Sequence, residues 1–320
     1  MKIYPIQFTP ILKERIWGGT QLKSLLNKSI TDDKTGESWE ISTVPNDVSM
    51  VASGVYKGKS LNDLITEFPT QLLGTSVHAK FGNQFPLLFK FIDAREDLSI
   101  QLHPNDALAK KRHNSFGKTE MWYVMHADEG ARMIVGFKEK SSSEEYVSHL
   151  NNKSLLSILD SKKVKEGDVF FLETGTIHAI GAGIVVAEIQ QTSDITYRVY
   201  DFDRVDANGN QRELHVDLAL EAINYDVVEV QRTYEKVENK SNTIVECPYF
   251  TTNFIPVTDC VTVDTNPDTF KVLMVVSGSC ELVMEGESYL YVKGDTLLIP
   301  AAAPCFELKG TSAVLEIYIK

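Results

Sequence analysis

Short apolar stretches separated by Gly, Asn, Asp and Ser turns recur along most of the chain, a pattern that predicts strands more often than helices. In Leu98-Ser99-Ile100-Gln101-Leu102-His103 apolar and polar residues alternate, which predicts a strand with Gln101 and His103 on one face. Glu120 opens a second strand-like run, Met121-Trp122-Tyr123-Val124-Met125. His178 closes a third, in which Gly167-Asp168-Val169-Phe170-Phe171-Leu172 leads into a turn of small residues. From Phe85 to Ile92 the residues are apolar except Lys90, which predicts a buried strand carrying one cation. Burying a lysine is costly without a partner, so Lys90 belongs at a strand edge or facing a charged site. Helical spacing is confined to a few segments. Leu61, Leu64, Ile65 and Phe68 follow a serine cap at Ser60. A helix also fits from Ser142–Ser143, with Glu144 and Glu145 in its first turn, to about Leu159. Shorter ones fit after Pro104 and up to Asn224.

Part of the pattern occurs twice. Gly167-Asp168-Val169-Phe170-Phe171-Leu172 returns as Gly294-Asp295-Thr296-Leu297-Leu298-Ile299, and the run from Met121 returns from Val272. In that register Lys271 falls opposite Glu120, and Cys305 opposite His178, so the second copy keeps strands and turns without the same polar side chains. Short strands at regular spacing, twice over, predict a mainly β fold of two jelly-roll barrels, with a few helices inserted in and around the N-terminal one. The Gly-Asp turn before an apolar strand resembles a conserved segment of cupins. The expected division is a catalytic barrel over 1–225, a linker or edge strands over 226–246, and a second barrel over 247–320 without metal ligands.

Composition narrows the function classes. The formal charge of -12 excludes nucleic acid and anionic membranes as general partners, and an anionic substrate would need a local basic cluster. Met1-Lys2-Ile3-Tyr4-Pro5 has no apolar signal core, and no run approaches spanning length, so a cytoplasmic protein is expected. All four cysteines, Cys247, Cys260, Cys280 and Cys305, lack C-x-x-C spacing, which predicts buried free thiols rather than disulfides or a thiolate metal site. The pattern sets no oligomeric state.

Gln101, His103, Glu120 and His178 are expected on three neighbouring strands able to aim an amide oxygen, two imidazoles and a carboxylate at one point. Oxygen and nitrogen ligands without thiolates suit a catalytic zinc, whose remaining position takes water or substrate. Taken alone, a Gln-x-His on a strand is more often a satisfied polar pair. The block from Glu188 to Asp201 adds two carboxylates, Glu188 and Asp194, and the guanidinium of Arg198. Arg15-Ile16-Trp17-Gly18-Gly19 and Gly36-Glu37-Ser38-Trp39 place tryptophan beside glycine, as either core packing or the aromatic wall of a polar pocket.

Four motifs together, Gln101-Leu102-His103-Pro104, Gly117-Lys118-Thr119-Glu120, Gly175-Thr176-Ile177-His178-Ala179 and Thr196-Tyr197-Arg198-Val199-Tyr200-Asp201, resemble the type I mannose-6-phosphate isomerases. The tryptophan–glycine clusters match the short bacterial members, and the likeness spans nearly the whole chain. It implies one zinc per chain, held by Gln101, His103, Glu120 and His178, and an aldose–ketose isomerase that interconverts mannose 6-phosphate and fructose 6-phosphate through an enediol. It also implies an active-site role for Arg198. Longer members usually have His-Lys-Pro-Glu where this chain has Gly117-Lys118-Thr119-Glu120, so a histidine base at that position does not apply here. Lys118, Glu188 and Asp194 are the titratable candidates for proton transfer, with Glu188 and Lys118 preferred. Arg198 can hold an enediolate oxygen or the phosphate, and Trp17 and Lys90 are further candidates for binding the phosphorylated hexose. Two rivals are an iron-dependent cupin oxygenase, which usually has a His-x-His pair with its glutamate a few residues on, and a metal-free sugar-binding cupin.

Overall fold

In strand Leu87–Ala94 every residue is buried, because the sheet containing it is covered on both faces. Lys90 and Ile92 point one way; Leu87, Phe89 and Phe91 point the other. This double burial erases the alternation expected of a half-exposed strand and leaves the continuous apolar run seen in the sequence. The computed structural model describes residues 1–205 and 208–320. It is mainly β, with the longer helices in and around the N-terminal half, as expected.

The central antiparallel sheet has seven strands in the order Gln231–Arg232, Val169–Leu172, Glu120–Ala127, Ile184–Gln191, Leu87–Ala94, Thr35–Ile41 and Ile11–Gly19. A five-stranded sheet faces it, ordered Leu159–Lys163, Arg132–Phe137, His178–Ile180, Ile100–Leu102 and Tyr197–Tyr200. Trp122, Phe170 and Val186 from the first sheet meet Met133, Val135 and Ile180 from the second in one apolar core. Among the described residues hydrogen bonding leaves these as two separate layers, so the expected barrel is an open sandwich. Helix Ser143–Asn151 and the short helix Val216–Leu220 cover the outer face of the five-stranded sheet, through Tyr146 and Ala219.

The C-terminal sheet also has seven strands, built on the long strands Lys271–Met284 and Phe306–Tyr318. Its outer face packs on the outer face of the central sheet: Val272, Met274, Leu315 and Ile317 join Met121, Tyr123, Phe89 and Ile189 in the largest core. The internal repeat holds at the level of strand pairing. Glu120 pairs with Leu172, and Lys271 with Ile299, in equivalent positions. Lys271 Nζ donates to Glu316 Oε1 at 2.6 Å, and Asn253 Nδ2 donates to the other oxygen at 2.9 Å, so a closed ion pair stands where the first sandwich has Glu120. Breaking such a buried pair costs about 3–5 kcal/mol. Lys271→Met is expected to lower the denaturation midpoint accordingly while the folded protein turns over normally; unchanged chemical denaturation would show that the pair is energetically idle.

Several local expectations change. Helix Leu61–Glu67 forms with Ser60 and Asp63 in a reciprocal capping box, and a helix Asp106–His113 is capped by Asn105. The helix expected to reach Leu159 stops at Asn151, where Lys153 adopts a positive φ of 54° and a strand begins at Leu159. His178 does not end the strand Val169–Leu172. It opens its own strand in the opposite sheet, beyond the turn. All four cysteines are free, yet Cys280 alone is buried and Cys305 is exposed. No helix among the described residues is long and apolar enough to cross a membrane.

Candidate metal centre and active site

Two of the four expected ligands lie on one sheet and a third faces them from the other. Gln101 and His178 are directly paired across adjacent strands of the five-stranded sheet, and His103 follows the first of these strands. Glu120, at the start of its strand in the central sheet, reaches across the sandwich. The site therefore spans both layers, rather than lying on three neighbouring strands as expected from the pattern.

Hydrogen bonding fixes the imidazoles. His103 Nδ1 donates to the Ile195 carbonyl at 2.8 Å, and His178 Nδ1 to the Thr176 carbonyl at 2.9 Å. Carbonyl oxygens only accept, so each neutral ring turns the lone pair of Nε2 inward. Burial, then the nearby Lys118 ammonium, lowers both histidines; His178 falls to about 4, so both rings are neutral at pH 7. His103 Nε2 lies 3.5 Å from one Glu120 oxygen and His178 Nε2 lies 3.4 Å from the other. Glu120 Oε1 is buried and has no hydrogen-bond partner. The amide end of Gln101 is 3.5 Å from His178 Nε2.

Such a set of acceptors facing one another is repulsive unless a cation sits among them. Lys118 Nζ supplies part of that charge, bonding Glu120 Oε2 and standing 3.1 Å from His103 Nε2. The donor atoms of His103, Glu120 and His178 all lie within 4.8 Å of one another, so this cluster can hold a metal ion. The orphaned Glu120 oxygen and the two inward Nε2 lone pairs fit that use.

A cavity of about 530 Å³ opens beside the cluster. Trp17, Lys90, Gln101, Lys118, His178, Glu188, Asp194 and Arg198 line it, which accounts for every sequence-predicted site residue except His103 and Glu120, both buried just behind the wall. Glu188 Oε2 accepts from Trp122 Nε1 at 2.9 Å, while Oε1 is 3.3 Å from Lys90 Nζ and 3.8 Å from Lys118 Nζ. Burial alone would raise Glu188, but Lys118 and Lys90 outweigh it and hold the carboxyl below its ordinary range. Burial raises Glu120 instead, against the pull of Lys118, with Glu188 adding to the rise. Lys90 thus faces a charged site rather than a strand edge. Asp194 is exposed at the cavity rim.

Residues 6–139 match the family described as phosphomannose isomerase type I, catalytic domain, and residues 240–319 match the mannose-6-phosphate isomerase cupin domain. Mannose-6-phosphate isomerase ManA of Bacillus subtilis is 37% identical over 314 residues, spanning 97% of each chain. The mannose-6-phosphate isomerase of Streptococcus mutans is 35% identical, again over 97% of each chain. The chain belongs to the type I phosphomannose isomerase family. The crystal structure of the Bacillus subtilis mannose 6-phosphate isomerase superposes with a TM-score of 0.89 at 37% identity, over 98% of this chain and 99% of that one. A variant phosphomannose isomerase of Salmonella typhimurium, at 17% identity and a TM-score of 0.80, shares the fold over 99% of both chains. Family membership favours the isomerase over the oxygenase and sugar-binding rivals.

The cavity holds further charges that the sequence did not mark as site residues. Glu37 accepts from both Arg15 Nε and Nη2, at 3.1 and 3.0 Å, and from Trp39 Nε1 at 2.6 Å. Burial would raise it, yet Lys90 and Arg15 bring it down to about 2. Arg212, gripped by Asp201 through two hydrogen bonds of 2.7 and 2.5 Å, lines the same wall as Arg198. The signal available was burial: Gly36-Glu37-Ser38-Trp39 reads as a core strand, and a carboxylate within such a strand needs a cation beside it.

Proposed function

We propose that this chain is a zinc-dependent mannose-6-phosphate isomerase, passing between mannose 6-phosphate and fructose 6-phosphate through an enediol. The observation that carries the reading is the meeting of His103, Glu120 and His178 beside a cavity walled by an ionised Glu188 and by Arg198. His103, Glu120, His178 and Gln101 would hold the zinc, which supplies a Lewis acid for the oxygens on C1 and C2 of the sugar.

Glu188 is the proton carrier in this reading. Its Oε1 has no hydrogen-bond partner, and its charge is maintained by Lys90 and Lys118. Oε1 takes the proton from C2 as that C–H bond breaks, and returns it to C1 as the new one forms; the hydroxyl proton passes between O2 and O1. Lys118, bonded to Glu120, steadies the carboxylates around it. Asp194 stands at the rim, where it would face the sugar hydroxyls. Trp17 and Lys90 form part of the hexose-facing wall.

Arg198 is oriented by Ser99 Oγ, 3.2 Å from its Nε, and by the Glu213 carbonyl, 2.9 Å from its Nη1. With Arg212 it offsets the long-range repulsion between a dianionic phosphosugar and an acidic protein. A guanidinium fork meets two oxygens at once, which an ammonium cannot do. Arg198→Lys is therefore expected to keep fold and zinc and lose roughly a hundredfold in turnover. A raised KM with normal kcat would restrict Arg198 to ground-state phosphate binding. The reading as a whole is tested by a coupled assay on mannose 6-phosphate with the zinc-loaded protein. Turnover is expected with that substrate and none with unphosphorylated mannose. A zinc-loaded protein that leaves mannose 6-phosphate unchanged would sink it.

A further inference from the structure

Asp106, Gln191 and Tyr249 lie outside the proton-transfer chemistry, yet together they tie the segment carrying Lys118 and Glu120 to both halves of the molecule. Asp106 is the first residue of helix Asp106–His113, three positions after His103. Its Oδ1 accepts from the Gly117 N–H at 2.8 Å and from Gln191 Nε2 at 3.0 Å; its Oδ2 accepts from the Tyr249 hydroxyl at 2.8 Å. Gln191 in turn accepts from the Thr119 N–H through Oε1 at 2.9 Å, and its own N–H donates to the Thr119 carbonyl at 3.1 Å. The ladder that pairs Gln190 with Glu120 is thus extended by a side chain. Gly117 is required for the approach, since a Cβ there would stand 2.7 Å from Asp106 N. Tyr249 comes from the turn between strands Asn242–Glu246 and Thr251–Val257 of the C-terminal sheet.

We infer that Tyr249, acting through Asp106, is a positioning residue: the C-terminal sheet holds the 117–120 segment so that Lys118 and Glu120 meet the two histidines. This rests on the proposed role of Glu120 as a metal ligand. Groups bonded directly to metal ligands typically set affinity by 10- to 100-fold, and Tyr249, one bond further back, is expected at the lower end.

Tyr249→Phe, Asp106→Ala, the double variant and Asp106→Asn are compared with wild type. Zinc affinity is read by competition with a chromogenic chelator, alongside kcat, KM and melting temperature. Each of the first two is expected to bind zinc roughly tenfold more weakly and to lose kcat, with KM within about twofold. The double variant should be no worse than Asp106→Ala alone, because both changes break one path. Asp106→Asn, which keeps an acceptor for Gly117, should recover most of the loss. Wild-type zinc affinity in Tyr249→Phe, or additive losses in the double variant, would overturn the inference. If Asp106→Ala does not fold, Tyr249→Phe decides alone, since it removes a single hydroxyl. A wild-type protein that binds zinc without isomerising mannose 6-phosphate would end the isomerase reading, while the zinc comparison would still decide the role of Tyr249.

Discussion

Replacing Glu120 or His178 with alanine is expected to abolish tight zinc binding and nearly all turnover. Each change deletes one of the three donor groups that converge within 4.8 Å. Altering groups that merely orient a ligand already costs about 10- to 100-fold in metal affinity, so losing a donor atom outright costs more. Glu120→Ala carries a second penalty. It leaves the buried Lys118 ammonium with only the more distant Glu188 carboxylate as its partner, so that variant should also unfold at lower denaturant concentration than His178→Ala. Metal content per chain after gel filtration, measured with turnover on the same sample, checks both. Stoichiometric zinc and normal turnover in either variant would remove that residue from the site.

Glu188→Gln is expected to keep the zinc and lose on the order of a thousandfold in kcat, within the range for a general base. Glutamine still accepts from Trp122 Nε1, so the strand pairing of Glu188 with Lys90 and Trp122 should survive. What is lost is a carboxylate oxygen able to take up a proton. Lys118→Met provides the contrast: were Lys118 the base, that variant would carry the large kcat loss and Glu188→Gln would stay near normal. Pre-steady-state mixing with mannose 6-phosphate, together with metal analysis, separates a lost base from a lost ligand.

Elements were legible where a local rule acts on a few neighbouring residues. The alternation around Gln101 and His103, the run after Glu120 and the capped helix after Ser60 follow from side-chain period and capping alone. Lys90 was readable as an anomaly, because a cation inside an apolar strand demands a partner, and Glu188 is that partner across the ladder. Glu37 obeys the same logic, but the glycine, serine and tryptophan around it read either as packing or as a pocket wall and mask its demand for a cation. The crossing of the sandwich was not legible. His178 and Glu120 lie in opposing sheets, and no periodicity records which sheet a three-residue strand joins. The early stop of the helix at Asn151 has a similar cause: a left-handed Lys153 and a following strand override spacing that continues to look helical. The contact of Tyr249 with Asp106 joins residues 143 positions apart, which local pattern cannot encode.

The most direct measurement is a zinc titration of chelator-treated protein, following turnover of mannose 6-phosphate at each addition. Turnover should be absent at the start, rise linearly, and break sharply at one equivalent per chain, because His103, Glu120 and His178 form the one such cluster among the described residues and Lys271–Glu316 closes the matching place in the C-terminal sheet. Full turnover in the metal-free protein, or a break at two equivalents, would contradict the account.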